Sequence, residues 1–266
     1  MLKAVSFVNG SHLFTSFKQM ELYVDDYEDL YSYIFAESVK WWKNSIMPGT
    51  SEPIQYLRTY WHVIDKMDEW DLASPKLKQY IFEKFKDDQD VNSRWLAKKS
   101  NQKMTMADAF ELFYSDAAQW YEKRKTLLSG MNRFHHAVES STDFIEISAC
   151  GKWKVDLLHK TVMEKGLDVC MAVNMVALSH IYDIAILIGA DNDSISGLTH
   201  IKNMGKQMAV VEFVKGTRED YLEKGYTPGV KLNVDFIVPI FVDDLIKRKI
   251  ASNNNNMYHF TLGESA

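Results

Sequence analysis

Residues 184–190 read Ile-Ala-Ile-Leu-Ile-Gly-Ala, and the aspartates Asp191 and Asp193 follow directly. A short continuous apolar run ended by acids has the look of a central parallel strand buried on both faces. Strands elsewhere are expected at 3–9, stopped by Gly10, at 54–64, at 143–149 with 152–156 as an extension, at 207–214 and at 234–238. Helical spacing of apolar residues is expected over 26–44, 116–139, 157–181, 194–204 (ended by Gly205) and about 240–248. Strands alternating with helices imply right-handed βαβ units. The expected fold class is therefore α/β: a Rossmann-like, doubly wound, mainly parallel sheet flanked by helices.

The segment 66–115 fits that alternation poorly. It carries helical patterns at Leu77, Tyr80, Ile81 and Phe85, a charged stretch KDDQD, and a second amphipathic run from Met106 through Phe110, Phe113 and Tyr114. It reads as a helical insertion in a single domain spanning 1–250. Its aromatic residues are candidates for a partner or homodimer surface, although such stripes usually form core. The tail 251–266, with asparagines at 253–256, is expected to be mobile.

With 266 residues and 46% hydrophobic residues, the chain can bury a large core. The net charge of -5 argues against holding nucleic acid by bulk positive charge, and leaves room for an acidic site with a local basic rim. Two cysteines without C-x-x-C spacing make neither a metal knuckle nor a disulfide framework. A reducing, cytoplasmic setting is the simple expectation. No apolar stretch is long enough for a membrane helix, and the opening residues lack a secretory pattern, so no membrane association is expected.

In doubly wound sheets, ligands bind beyond the carboxyl ends of the strands. That rule selects Asn9 after the first strand, and Asp191 and Asp193 after the apolar one. Two carboxylates one residue apart are too costly to bury unpaired. Asp193 alone is equally well read as a helix N-cap; that reading leaves Asp191 unexplained. As a pair they suit a hard cation such as Mg²⁺ or Mn²⁺. Asp168, in Lys165-Gly166-Leu167-Asp168-Val169, taken alone reads as a helix cap. Asn9-Gly10, taken alone, is a turn dipeptide.

Taken together, VNGSHL at 8–13, KGLDVCMAVNM at 165–175 and IGADNDS at 188–194 resemble the NYN family of PIN-like ribonucleases, in particular its LabA-like branch. The order and separation of the three stretches fit, as do the intervening strand DFIEISA and the strand in GKQMAVVEF. The resemblance covers the first strand and roughly 116–248. It departs from the family where Asn9 and Asn174 stand at usual aspartate positions, and where Ser11, His12, Gly189 and Ser194 replace the usual flanking residues.

The resemblance implies metal-dependent hydrolysis of RNA phosphodiesters, with Mg²⁺ or Mn²⁺ orienting a water and stabilising charge on the phosphate. It assigns Asp191 as a direct ligand, Asp168 and Asp193 as ligands or water-positioning groups, and Asn9 as a neutral oxygen ligand or water holder. Ser11, His12, Lys165, Asn174 and Asn192 become candidates for substrate contact. Two lost carboxylates weaken a divalent site, since one charge pair at ~4 Å amounts to several kcal/mol at an effective dielectric of about 20. The alternative is a catalytically inactive RNA-binding or interaction module. Lys152, Lys154, Lys160, Lys202 and Lys206 are candidates for phosphate contact in either case, though any one of them reads more simply as solvated surface. Trp153 is a candidate for stacking a base, with a core or hairpin role at least as good a reading. A Mn²⁺-dependent glycosyltransferase with a D-x-D pair is more remote, because it leaves Asp168 and the first strand's turn without a role. The chain lacks the G-x-G-x-x-G and Gly-Lys-Ser/Thr loops of dinucleotide and NTP sites.

Overall fold

A computed structural model of the chain describes residues 1–97, 104–190, 194–216 and 228–253. The described elements, in order, are β1 (Leu2–Asn9), α1 (Gly10–Gln19), β2 (Leu22–Val24), α2 (Tyr27–Ser45), β3 (Ile54–Met67), α3 (Pro75–Asp87), α4 (Gln89–Leu96) and α5 (Met106–Ser141). They continue with β4 (Ile145–Asp156), β5 (Thr161–Lys165), α6 (Leu167–Ala177), β6 (Ile184–Ile188), α7 (Ile195–Asn203), β7 (Gln207–Val214), α8 (Pro228–Asn233), β8 (Phe236–Phe241), α9 (Val242–Lys247) and β9 (Ala251–Asn253).

The protein is α/β, with a mostly parallel seven-stranded sheet of order β5-β4-β3-β1-β6-β7-β8. β1 pairs parallel with β3 and β6, β6 with β7, and β7 with β8. The β4–β5 hairpin is antiparallel. β2 and β9 form a separate antiparallel pair, so the first residues of the expected tail are a strand.

The apolar run occupies the place its composition demands. β6 lies between β1 and β7, and all five of its residues are buried. Its side chains divide with period two between the faces of the sheet. Ile184, Ile186 and Ile188 enter one core with Ala4, Val8, Ala209 and Val211. Ala185 and Leu187 enter another with Val5, Phe7, Met208 and Val210.

The chain forms two compact units. The first takes residues 1–64, 134–151 and, among the described residues, 166–253; the second takes 65–133 and 152–165. The segment expected as an insertion falls inside the second unit. Its aromatic residues are core: Phe85, Trp95, Phe110, Phe113 and Tyr121 are buried together with Ile81, Val155 and Leu157.

Besides β2, α8 and β9, which had no expected counterpart, three regions differ from the expected pattern. α5 begins at Met106, so the amphipathic run before 116 and the helix after it are one helix. The expected helix over 157–181 is a strand, β5, followed by a shorter helix, α6. Asp156 accepts the amides of Leu158 (2.9 Å) and His159 (3.2 Å), and Lys160 turns at φ 50. This tight turn sends residues 161–165 back along β4, and pairing outweighs the apolar spacing that mimicked a helix. α1 was not expected: its buried side chains are only Leu13 and Phe17, one turn apart, too few for a clear stripe.

Candidate functional site

The site is built from the ends of β1 and β6 and the first turn of α6, all in the first unit. Asn9 ends β1 and caps α1, its Oδ1 accepting the His12 amide at 3.0 Å. Asn9 Nδ2 donates to Asp168 Oδ1 at 2.7 Å. The backbone amide of His12 requires an acceptor, so the oxygen of the Asn9 side chain must face it and the nitrogen must face Asp168. Asn9 is 7% exposed and Asp168 half-buried, so the bond is partly buried.

Asp168 is not the cap of its helix. Gly166 holds that position with φ 88, and Asp168 lies in the first turn, where the helix dipole favours a negative charge. β6 closes the site from the third side through Gly189, whose φ is 89. A Cβ there would lie 2.7 Å from His12 Cβ and 3.1 Å from Asn9 Cβ, so only glycine allows this approach.

The expected residues thus separate into groups. Asn9 and Asp168, distant in sequence, meet. His12 is exposed and Ser11 half-buried in the first turn of α1. Asn174, farther along α6, donates to His62 Nε2 (3.1 Å) and to Ser148 Oγ (3.2 Å). Lys165 is exposed at the end of β5, opposite Lys152, in the second unit. Asp191, Asn192 and Asp193 lie outside the described residues.

Whether Mg²⁺ or Mn²⁺ fits can be read from the donor set. Asp168 is a hard oxygen donor of the type such ions take. Asn9 turns a nitrogen, not an oxygen, toward it. For Asn9 to serve as a ligand or to hold a metal-bound water through Oδ1, that oxygen would have to leave the His12 amide. Among the described residues no group of three or more His, Cys, Asp or Glu side chains is placed to hold a metal.

Sequence reasoning missed His62. It is fully buried in β3, in register with Asn9, and its Nδ1 lies 3.3 Å from the Val8 carbonyl. Burial pushes its pKa down to about 4. The only sequence signal was a lone histidine in the apolar strand 54–64.

Four lysines considered for phosphate contact have other partners. Lys152 pairs with Asp68 (3.4 Å) and Lys160 with Asp116 (2.6 Å). Lys202 donates to the Leu232 carbonyl (2.7 Å) and Lys206 to that of Tyr182 (2.6 Å). Trp153 is 1% exposed, which makes it core and removes it as a stacking platform.

No family model matches the chain, and no curated protein matches it. A solved structure of a protein of unknown function from Vibrio parahaemolyticus aligns over 91% of this chain and 94% of its own, with 13% identity and a TM-score of 0.41. No helix among the described residues is long and apolar enough to cross a membrane.

Proposed function

We propose that the chain is a PIN-like, NYN-type ribonuclease with a Rossmann-like sheet, acting on RNA phosphodiesters at the carboxyl ends of β1 and β6, with its activity lowered by Asn9. The observation that carries this reading is the bond between Asn9 and Asp168. Two short motifs, 159 residues apart, meet where a parallel sheet offers its ligand crevice. Asp168, together with Asp191 and Asp193 from the sequence, would hold Mg²⁺ or Mn²⁺. The ion would supply a water of lowered pKa and charge stabilisation at the phosphate.

This chain's own residues set the level of that activity. The amide of Asn9 donates to Asp168 Oδ1 and competes with a cation for the same carboxylate oxygen. An aspartate at 9 would keep the cap on α1 and leave both carboxylates to a metal. The same bond favours a second reading, an RNA-binding module without hydrolysis, because Asp168 already has a partner that is not an ion.

Incubation of the purified chain with labelled RNA and Mn²⁺, then with EDTA, tests the proposal. Metal-dependent cleavage, increased in Asn9→Asp and lost in Asp168→Asn, is the expected result. RNA binding without cleavage in both the native chain and Asn9→Asp would replace the nuclease by the binding module. No binding and no cleavage would end both readings.

A further inference from the structure

Beneath the strand ends, the buried His62 and the half-buried Asn174 and Ser148 form a continuous polar chain. His62 Nδ1 faces the Val8 carbonyl at 3.3 Å, and a carbonyl only accepts, so Nδ1 carries the ring hydrogen. Nε2 faces the Asn174 side-chain nitrogen at 3.1 Å, and an amide nitrogen only donates, so Nε2 is bare. The other amide hydrogen of Asn174 reaches Ser148 Oγ at 3.2 Å. A flipped amide would put an oxygen against Nε2 and demand a second ring proton. Burial, which holds the His62 pKa near 4, opposes that charge.

We infer that Asn174 is a positioning residue: its amide recognises the Nδ1–H tautomer of His62 and, with Ser148, pins α6 to β3 and β4 so that Asp168 meets Asn9. Met171 and Met175 of α6 are fully buried, but apolar burial has no preferred direction, whereas the two bonds of Asn174 do. Asn174 and Asp168 are six residues apart, about 9 Å along the helix axis, so a shift at one end is carried to the other. Asparagine at 174 is then required by its neighbour. An aspartate would place an acceptor against the bare Nε2 and demand a second ring proton, the charge that burial of His62 opposes. The role of this placement in catalysis rests on the nuclease reading. The tautomer and the anchoring of α6 do not.

The test uses the full chain with ¹⁵N-labelled histidine, and two-bond proton–nitrogen correlation at neutral pH. His62, identified by the signal lost in His62→Gln, is expected as the pure Nδ1–H tautomer. Hydrogen exchange of the α6 amides is expected to speed up about tenfold or more in Asn174→Leu, with Asn174→Asp at least as disruptive and Ser148→Ala intermediate. An Nε2–H tautomer in the native chain overturns the inference, and that measurement stands even if the Asn174 variants fail to fold. Unchanged α6 exchange in Asn174→Leu overturns it as well. Neither readout involves RNA or metal, so absence of nuclease activity would leave this result intact.

Discussion

Asn9 Nδ2 donates to Asp168 Oδ1 across 2.7 Å, and the opposite atom of the same amide accepts the His12 backbone amide at 3.0 Å. One neutral side chain therefore caps a helix with its oxygen and meets a carboxylate with its nitrogen. Its two ends cannot be exchanged, because the backbone donor fixes which atom faces which neighbour.

Asn9→Asp separates these two functions. The carboxylate still caps α1, but two acids now confront each other where a hydrogen bond stood. With EDTA present, the variant is expected to be less stable than the native chain by roughly 1–3 kcal/mol, from a lost bond and like-charge repulsion. Mn²⁺ is expected to raise its melting temperature more than that of the native chain. Asn9→Ala loses both bonds and should show no added Mn²⁺ response. Thermal melts of the three proteins with and without Mn²⁺ decide the matter. Equal Mn²⁺ shifts in all three would mean that no cation site forms at position 9.

Gly189→Ala probes the third wall of the site. Its φ of 89 is strained for any residue with a Cβ, and that atom would press on His12 and Asn9. A loss of about 1–3 kcal/mol is expected for the backbone alone, and more with the clash. If urea denaturation showed a stability equal to the native chain, β6 and α1 would not approach as closely as described.

The sequence made the sheet readable where a single constraint governs. The run Ile184–Ile188 has one physical solution, burial on both faces, and it is found there. In Gln207–Val214 the run Met208–Val211 is buried in the same way. Residues 161–165 were not, because Val162 fits a helical stripe equally well, and the turn at Asp156 and Lys160 that makes them a strand is a matter of tertiary pairing. At the site, Asn9 and Asp168 could be chosen from strand ends and motif order. The bond between them, with nitrogen toward the acid, could not, since it depends on which amide atom the α1 backbone demands. His62 was hidden because a histidine inside an apolar strand has no signature until its neighbours are known.

His135 offers a substitution expected to stabilise. It is 2% exposed, and both ring nitrogens lack a hydrogen-bond partner among the described residues. It packs against Phe14, Trp61 and Phe134. Replacing it by phenylalanine keeps an aromatic ring of similar shape and removes two buried polar atoms, a gain of about 1–3 kcal/mol by the usual desolvation cost. Denaturant unfolding of His135→Phe measures it. A large loss instead would show that the ring nitrogens have polar partners that stabilise the native chain, and that the extra volume is not tolerated.

The same two buried histidines make the fold sensitive to mild acid. Burial lowers the pKa of both His62 and His135 from 6.5 to about 4. The native state therefore keeps them neutral while the unfolded chain takes up protons. Between those two values the unfolded state binds more protons, so stability rises with pH in that window and falls as pH drops through it. Each group contributes on the order of 3 kcal/mol across the full window, at about 1.4 kcal/mol per pH unit. His159 has the opposite sign, because its bond to Asp156 raises its pKa, but it is half exposed and its effect is small. Carboxylates titrate in the same range, so the comparison must be made between variants. His135→Phe should flatten the stability curve between pH 6.5 and 4 relative to the native chain and leave it parallel above pH 7. Parallel curves throughout would show that His135 keeps an ordinary pKa and is reached by water in the native state.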